Sequence, residues 1–235
     1  MKVDLVIPFY NENKNLKILC GELNKTIPLL KNKYHIIFID DGSTDKSNEI
    51  IKDKIKNISY QLIINSYKSG QTICFKKAFQ VIKGDYVIRM DSDLQDKPSD
   101  LKTFDSYLEH NYDVILGYRG KRKHNIILKT LTFFFDRIIK FLGYSNLSCS
   151  TGSFICFRGY YIKNLNLVDN DHRYLPIIVQ SIGAKKNMIV QISHRKRKYG
   201  LSNYNTFIKS TLGIFEVIRL LLRINKNFYL KKIKF

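Results

Sequence analysis

The chain has 235 residues, enough for one domain of ordinary to large size with a single hydrophobic core. Hydrophobic residues make up 44% and charged residues 26%, a globular composition that excludes long disordered stretches. The formal net charge of +20 is uneven: residues 1–100 hold 16 basic and 13 acidic side chains (net +3), and residues 101–235 hold 24 and 7 (net +17). The second half is therefore predicted to meet something anionic, such as phosphorylated small molecules, a membrane surface or nucleic acid.

Buried strands and amphipathic helices alternate through the first half of the chain. Continuous β-branched and aromatic runs predict strands at Val3–Pro8, His35–Asp40, Tyr60–Asn65, Tyr86–Met90 and Asp113–Tyr118. Apolar residues at helical spacing predict helices near residues 16–27 and 50–55, and at Gln71–Lys83 and Pro98–His110. This alternation predicts an α/β fold with a mostly parallel sheet flanked by helices, in which ligands bind beyond the carboxyl ends of the strands.

The second half is less regular. Its patterns predict helices at 126–142 and 207–224, strands at Ser153–Phe157 and Asn187–Ser193, and a basic loop at His194–Tyr204. The N-terminus runs directly into a strand pattern, so no signal peptide is expected, and no window holds ~18 uninterrupted apolar residues. Four isolated cysteines, with no C-x-x-C pair, are typical of buried hydrophobic residues in a reducing compartment.

Polar side chains follow the first two predicted strands. Pro8 closes the first strand, Tyr10 can stack on a planar ring, and Glu12 can accept hydrogen bonds from a base or a sugar. A strand stop followed by a helix cap explains these three residues equally well. Asp40 and Asp41 are adjacent at the end of the second strand, where their repulsion must be offset by a ligand, a cation or a hydrogen-bond donor.

Two more carboxylates follow the strand at Tyr86–Met90. Asp91 and Asp93, separated by one residue, place two carboxylates on one side of the turning chain. A hard divalent cation prefers such oxygen ligands and leaves sites for water and for the oxygens of a diphosphate. The alternative is a solvated turn in which Asp93 or Asp96 caps the next helix. We favour a metal–diphosphate site, because the paired aspartates of a neighbouring strand tip are expected nearby.

The basic loop offers partners for a diphosphate. Five consecutive charged or titratable residues, 194–198, run into a flexible Gly-x-Ser. A solvated basic face or a nucleic-acid patch is typical of this pattern. A loop that folds over a diphosphate also agrees with it, with Arg197 as a bidentate clamp and Ser202 as a hydroxyl donor.

Six sequence motifs occur in order along the chain. They are Val6–Glu12, Phe38–Asp45, Met90–Asp96, Gly117–Arg119, His172–Pro176 and Arg197–Tyr204. Together they resemble glycosyltransferase family 2, and within it the polyprenyl-phosphate sugar transferases that are similar to dolichol-phosphate mannosyltransferase. The resemblance covers nearly the whole chain. It implies a GT-A fold, a nucleotide-diphosphate sugar donor, Mg2+ or Mn2+, and inversion at the anomeric carbon.

The resemblance also suggests roles for individual residues. The donor would be bound by Pro8, Tyr10, Glu12, Ile39, Asp41, Asp91, Ser92, Arg119, Arg197, Ser202 and Asn203. The metal would be held by Asp91, Asp93 and Gln95, and the leaving diphosphate would be stabilised through Asp93 and Arg197. We place the acceptor side at Ser150, Ser153, His172 and Arg173.

Two departures from the family pattern bear on the acceptor. Members often carry Lys where this chain has Asn203, and many carry Asp where it has Ser150. A phosphate-monoester acceptor is already anionic at neutral pH, because its second pKa is ~6, and it tolerates the missing carboxylate. A sugar hydroxyl needs a general base. Asp169 or Asp171 would then serve, unless they cap the helix that begins near Arg173.

The late helices have wide apolar faces and one polar stripe each. In 207–224 the stripe is Lys209, Glu216, Arg219 and Arg223. Such helices suit the membrane interface, although a core helix of the fold is the alternative for 126–142. We therefore predict a GT-A domain over residues 1–204, including that helix, and an interfacial amphipathic helix with a basic tail over residues 205–235.

The leading hypothesis is a cytoplasmic enzyme, peripheral at the inner face of the membrane, that moves a sugar from a nucleotide-diphosphate sugar to a polyprenyl phosphate. The alternative is a family 2 enzyme that glycosylates a sugar hydroxyl in cell-surface polysaccharide synthesis. A nucleic-acid-binding module is disfavoured, because the acidic residues gather on strand tips where such a protein has no use for them. Assembly into a homo-oligomer is left open.

Overall fold

The computed structural model describes residues 1–120, 137, 153–163, 165–168, 170–199, 216, 218–224 and 228–229. Its strands are β1 (Lys2–Phe9), β2 (Lys33–Asp40), β3 (Tyr60–Ile64), β4 (Tyr86–Arg89), β5 (Val114–Tyr118), β6 (Ile155–Arg158) and β7 (Asn187–Gln191). Its α-helices are α1 (Asn13–Thr26), α2 (Ser47–Lys54), α3 (Gln71–Val81), α4 (Leu101–Tyr107), α5 (Gly159–Ile162) and α6 (Leu175–Ser181). Short 3-10 helices cover Ile27–Leu29, Pro98–Asp100, Leu108–His110 and Asp171–Arg173.

The strands form one sheet in the order β3-β2-β1-β4-β6-β5-β7. β1 pairs in parallel with β2 and with β4, β2 pairs in parallel with β3, and β5 pairs in parallel with β7. β6 runs antiparallel to both of its neighbours, β4 and β5. The predicted α/β fold with a mostly parallel sheet is therefore confirmed.

Both faces of the sheet are buried, because successive side chains of a strand point to opposite sides. In β1, Val6 belongs to one hydrophobic cluster, whereas Leu5 and Ile7 belong to the other. Residues of α3 and α6 complete the first cluster, and residues of α1 and α4 complete the second. This double burial explains why the strands are continuous apolar runs rather than alternating ones.

The predicted strands agree with the observed ones to within two residues at each end. The predicted helical segment Pro98–His110 is confirmed in its bounds, although only its middle part, α4, is α-helical, with a 3-10 helix on each side. The first 3-10 helix contacts the segment after β7, because the carboxylate of Asp100 accepts a hydrogen bond from the N–H of Ser193 at 2.9 Å. Asn111 ends the last turn in the left-handed conformation, with φ of 57°.

Part of the predicted C-terminal helix is described, and it packs on the sheet domain. Residues 218–224 are helical, and Leu220 and Ile224 are buried in the cluster that holds α3 and α6. Ile218 and Leu222 of the same helix are exposed, at 49% and 55%. One part of its apolar surface therefore packs against the domain, while another part faces outward.

The membrane prediction for both late helices stays a prediction. The helix predicted at 126–142 lies outside the described residues except for Arg137, and so do residues 205–215. In the part of the chain that the structure describes, no helix combines the length and apolarity that crossing a bilayer requires.

Gly159, the first residue of α5, packs against the backbone just before β4, and Gly21 in α1 offers a comparison. A β-carbon on Gly159 would lie 2.2 Å from the carbonyl oxygen of Gly84, and one on Gly21, inside α1, would meet nothing within 4 Å. We expect Gly159→Ala to lower the free energy of unfolding by about 1–3 kcal/mol, because the opposing atom is backbone. Gly21→Ala should raise it by about 0.5–1 kcal/mol through helix propensity. Urea denaturation measures both values, and equal stability of the two variants would contradict this packing.

Candidate active site

The predicted site lies where three adjacent strands, β1, β2 and β4, end. Parallel strands end at the same edge of a sheet, so the turns that follow them meet there. The N–H of Asp41 donates to the carbonyl of Phe9 at 2.9 Å, and the N–H of Met90 donates to the carbonyl of Val6 at 3.1 Å. These backbone bonds place residues 10–12, 41–45 and 91–96 side by side.

Asn11 ties the turn after β1 to the turn after β2. Its backbone is left-handed, with φ of 52°, a conformation that asparagine tolerates better than most residues. Its side-chain oxygen accepts the N–H of Thr44 at 2.8 Å, and its own N–H donates to the hydroxyl of Ser43 at 2.9 Å. Ser43 and Thr44 therefore join the turn after β2 to the turn after β1, a role that the sequence did not indicate.

Tyr10 and Glu12 are both half-buried in the turn after β1. The ammonium of Lys68 lies 4.1 Å from the ring centroid of Tyr10, a cation–π contact. Burial raises the pKa of Glu12 above its usual value, while the positive charge of Arg197 lowers it and the negative charge of Asp93 raises it. Glu12, Asp93 and Arg197 therefore share one electrostatic environment.

The adjacent aspartates Asp40 and Asp41 are satisfied by donors of the chain itself. Asp40 accepts hydrogen bonds from the N–H of Ser43 at 2.8 Å and from the side-chain amide of Asn48 at 2.6 Å. Asp41 accepts the N–H groups of Ser69 at 2.8 Å and of residue 70 at 2.9 Å. Among the three means of offsetting their repulsion, the structure therefore supplies hydrogen-bond donors. The role of Asp41 in binding a nucleotide stays a prediction.

Pro8 and Ile39 lie within the strands beneath the turns of the site. They are register neighbours in β1 and β2, and both are buried. The side chain of Ile39 is completely buried in the cluster that also holds Cys74 and Ala78. The side chain of Ile39 therefore faces the core, and its contact with a nucleotide stays a prediction.

Asp91 and Asp93 lie just beyond β4, with different partners. Asp93 accepts the N–H of Gln95 at 3.0 Å and the guanidinium of Arg197 at 3.0 Å. Within the described residues, the buried Oδ1 atom of Asp91 accepts no hydrogen bond, and its nearest cation is the Nη2 atom of Arg89 at 3.9 Å. Such an unsatisfied carboxylate oxygen suits Mg2+ or Mn2+. The same residues contain no group of three His, Cys, Asp or Glu placed to hold a metal by themselves.

The two arginines that were predicted to contact phosphates differ in exposure. The side chain of Arg197 remains 31% exposed beside Asp93. The side chain of Arg119 is 4% exposed and forms an ion pair with Asp96, which is completely buried, while Ser153 bonds to both residues. Burial raises the pKa of Asp96 to about 6, against the opposing effect of Arg119. Arg119 is therefore engaged in a buried ion pair in this structure.

His172, on the predicted acceptor side, connects α3 with β4. Its Nδ1 atom lies 2.8 Å from the hydroxyl of Thr72, and its ring stacks on Phe75. Its backbone carbonyl accepts a hydrogen bond from Arg89, the last residue of β4. Arg173 forms an ion pair with Glu216 at 3.3 Å. His172 therefore reaches the strand end that carries Asp91.

Asp171 is completely buried, and its carboxylate is occupied. It accepts the N–H of Val168 at 2.7 Å and the hydroxyl of Tyr229 at 2.6 Å, and it forms an ion pair with Arg223. It does not cap α6, which Tyr174 precedes with no side-chain cap. Burial raises the pKa of Asp171, which the hydroxyl of Tyr229 counteracts. The structure therefore gives Asp171 a structural role that the sequence did not suggest.

Four candidate residues lie outside the described part of the chain, namely Ser150, Asp169, Ser202 and Asn203. Their suggested roles stay predictions. Sequence reasoning missed Glu22, Arg89 and Thr72. Arg89 immediately precedes the metal motif, a signal that was available, whereas nothing in the sequence distinguishes Glu22 from other acidic residues of a helix. A cavity of about 440 Å³ lies beside Glu22. It is lined by Ile18, Glu22, Leu94, Arg195, Lys196, Arg197 and Lys198.

The sheet carries paired carboxylates at the carboxyl ends of its central strands, as expected for a GT-A fold. The chain matches Glycosyl transferase family 2 over residues 4–166, more than half of its length, and it belongs to this family. The predicted resemblance to this family is confirmed.

Curated relatives are named as polyprenyl-phosphate sugar transferases. The chain is 28% identical over 212 residues to the undecaprenyl-phosphate 4-deoxy-4-formamido-L-arabinose transferase of Yersinia enterocolitica, which covers 87% of this chain and 63% of the relative. The enzyme of the same name from Photorhabdus laumondii is 28% identical over 211 residues, with the same coverage. The chain therefore spans less than two thirds of the length of these relatives.

Solved structures share the fold. TarS 1–349 of S. aureus superposes with a TM-score of 0.61 at 18% identity, covering 82% of this chain and 60% of that one. The glucosyl-3-phosphoglycerate synthase of Mycobacterium tuberculosis, in complex with Mn2+, UDP and glucosyl-3-phosphoglycerate, superposes with a TM-score of 0.62 at 14% identity. That match covers 85% of this chain and 73% of that one. The predicted GT-A fold is confirmed.

The protonation of His172 should make stability depend on pH. Burial, together with Arg89 and Arg173, lowers its pKa to about 3, against ~6.5 in an unfolded chain. Between these values the unfolded state binds more protons, so stability should fall as the pH falls from about 6.5. His172→Gln should remove this contribution, which is at most ~1.4 kcal/mol per pH unit. Urea denaturation at several pH values measures the slope. The exposed His110→Gln is the control, and a wild-type slope in His172→Gln would contradict the assignment.

Proposed function

We propose that the chain is an inverting glycosyltransferase that moves a sugar from a nucleotide-diphosphate sugar to a polyprenyl phosphate. The observation that carries the proposal is the contact between Asp93 and Arg197 at the edge where β1, β2 and β4 end, at 3.0 Å. An arginine beside a carboxylate turn suits the charge of a departing diphosphate. The names of the curated relatives support the lipid-phosphate acceptor.

The donor nucleotide would lie over the turns after β1 and β2. Tyr10 offers a ring for stacking, and Glu12 offers acceptors for the donors of a base or a ribose. Asp41 would contribute to this site while its carboxylate accepts the N–H groups of Ser69 and residue 70. Two solved structures that share the fold contain UDP, which supports a nucleotide donor. Arg197, whose side chain remains 31% exposed beside Asp93, would contact the two phosphates.

A divalent cation would be held by Asp91, Asp93 and Gln95, with water and donor oxygens as further ligands. Asp91 fits this role because its Oδ1 atom is buried without a hydrogen bond in the described structure. The cation would offset the negative charge that develops on the leaving diphosphate. Complexes of the mycobacterial synthase contain Mn2+ with UDP or Mg2+ with UDP, which supports either ion.

The state of Asp171 bears on the acceptor chemistry. A phosphate oxygen is anionic at neutral pH and can attack the anomeric carbon without a base, as the bond from that carbon to the diphosphate breaks. A sugar hydroxyl requires a base, but the carboxylate of Asp171 is occupied by Tyr229, Arg223 and Val168. This occupancy disfavours Asp171 as the base, which leaves Asp169 as the candidate base for a sugar hydroxyl and supports the phosphate acceptor to that extent.

We further propose that the enzyme works at the inner face of the cytoplasmic membrane. Residues 101–235 carry a net charge of +17, which anionic lipid attracts by ~1 kcal/mol for each basic residue near the surface. Ile218 and Leu222 expose apolar surface on the C-terminal helix. Both features support peripheral binding next to a lipid acceptor.

A ligand panel followed by a transfer assay tests the proposed function. Thermal shift with UDP, GDP, CDP and dTDP, each with and without Mn2+, identifies the nucleotide, since a ligand that binds only the folded state raises the melting temperature. The matching nucleotide sugars are then offered with and without undecaprenyl phosphate. Transfer that requires the lipid phosphate supports the proposal. Transfer to a sugar hydroxyl alone would overturn it.

Asp93→Ala tests the metal site. We expect Mn2+-dependent stabilisation by the nucleotide to disappear, and kcat/KM to fall on the order of 10²–10³-fold or more, because the leaving diphosphate loses its stabilisation. Circular dichroism should show an unchanged fold. Asp53→Ala is the control, since Asp53 lies in an exposed pair with Lys54. Retained metal-dependent activity in Asp93→Ala would contradict the role of Asp93.

Asp171→Asn and Asp169→Asn together separate the two acceptor chemistries, and the stability effect is expected for Asp171→Asn. We expect Asp171→Asn to lower the free energy of unfolding by about 3–5 kcal/mol, because Arg223 loses its buried counter-charge. With a phosphate acceptor, kcat per folded molecule should stay close to that of the wild type. A fall of ~10²–10⁴-fold would instead indicate a general base and a hydroxyl acceptor. Asp113→Asn is the control for an aspartate paired away from the site.

A further inference from the structure

An extended basic strap, residues 192–198, leads from β7 past the turn that carries Asp93 and Gln95. Its side chains alternate between two environments. Ser193, Arg195 and Arg197 are half-buried, and His194, Lys196 and Lys198 are exposed. A period of two is the signature of an extended chain, in which every second side chain shares a side. Half of the basic residues of this segment therefore face the protein rather than the solvent.

Each inward residue of the strap binds a different part of the 93–100 segment. The hydroxyl of Ser193 donates to Asp100 at 3.1 Å. The N–H of Arg195 donates to the carbonyl of Gln95 at 3.2 Å, and its Nε atom donates to the carbonyl of Leu94. Arg197 donates to Asp93 at 3.0 Å. The strap is thus bonded along the turn that we propose as the metal site.

Glu22 holds the central residue of the strap from the opposite side. Its two carboxylate oxygens accept the Nη1 and Nη2 atoms of Arg195 at 2.6 and 2.7 Å. Glu22 lies on α1, which Leu19 and Leu23 anchor in the core with no exposure. All three guanidinium nitrogens of Arg195 are therefore engaged, and a planar fork bound in this way has little rotational freedom.

On the basis of the proposed function, we propose that Glu22 is a positioning residue for the donor diphosphate. By clamping Arg195, it fixes the register of the strap and so places Arg197, two residues further on, beside Asp93. Two residues of extended chain span roughly 6.6 Å, so a slip at Arg195 displaces Arg197 directly. Donor affinity is proportional to the fraction of molecules that have the strap in place, so it falls when that fraction falls.

A direct electrostatic role for Glu22 predicts the opposite sign. Glu22 is negatively charged and lies near the site proposed for an anionic ligand, so Coulomb repulsion by itself would weaken donor binding. Neutralising Glu22 would then strengthen the binding of a nucleoside diphosphate. The positioning role predicts weaker binding from the same substitution.

Titration calorimetry of the full chain with UDP, GDP, CDP and dTDP, each with Mn2+, tests the inference. For the nucleotide that the wild type binds, Glu22→Gln and Arg195→Lys should each raise Kd about tenfold, which corresponds to ~1.4 kcal/mol. The exposed Glu109→Gln removes the same charge elsewhere and should leave Kd unchanged. Nucleotide binding by Glu22→Gln that equals or exceeds that of the wild type would overturn the inference and leave the proposed function intact. Failure of the wild type to bind any of the four would overturn both.

Two further measurements separate positioning from a loss of stability. In an Arg197→Ala background, Glu22→Gln should raise Kd little further, because its effect passes through Arg197. An equal tenfold rise in both backgrounds would refute that path. Limited trypsin digestion without nucleotide should cut the strap after Lys196 and Lys198 faster in Glu22→Gln than in wild type. Unchanged cleavage there would show that Glu22 does not hold the strap.

Discussion

Parallel strands that end at one edge bring their terminal carboxylates together, and the mutual repulsion of these groups must be neutralised. Asp40 and Asp41 are satisfied by amide and hydroxyl donors of the neighbouring turns. Asp93 and Asp96 each receive an arginine from a distant part of the chain. Asp91 is left with a buried oxygen that accepts no hydrogen bond among the described residues. The arrangement of this edge therefore leaves a place for a cation where the chain supplies no donor.

The later, basic part of the chain is organised around that edge in two directions. On one side, the strap crosses the turn after β4 and brings Arg195 and Arg197 to it. On the other side, His172 binds Arg89, and the C-terminal residues hold this loop through Asp171. Part of the excess positive charge therefore forms ion pairs with acidic residues at or near this edge. The exposed remainder is the part that we propose to contact a lipid surface.

Much of the fold could be predicted because its signals are local. The strands are buried on both faces, so their apolar runs are continuous and their bounds are visible in the sequence. The bounds of the helical segment Pro98–His110 were visible in the same way, but its division into α4 and two 3-10 helices was not. In the site, the paired carboxylates were visible as motifs. The partners of Asp171 were not, since Arg223 and Tyr229 lie more than fifty residues away.

The sequence by itself determined the α/β class, the family and the residues that carry carboxylates to the strand ends, because each depends on spacing along a short stretch of chain. Only the tertiary structure decided which charged side chains are buried in ion pairs within the protein. Arg119 and Asp171 are buried in ion pairs, whereas Arg197 remains half-exposed beside Asp93. Nothing in the sequence distinguishes the two buried charged residues from the exposed one. Their difference arises from burial, which depends on contacts between distant segments and decides whether a charge needs a partner within the protein.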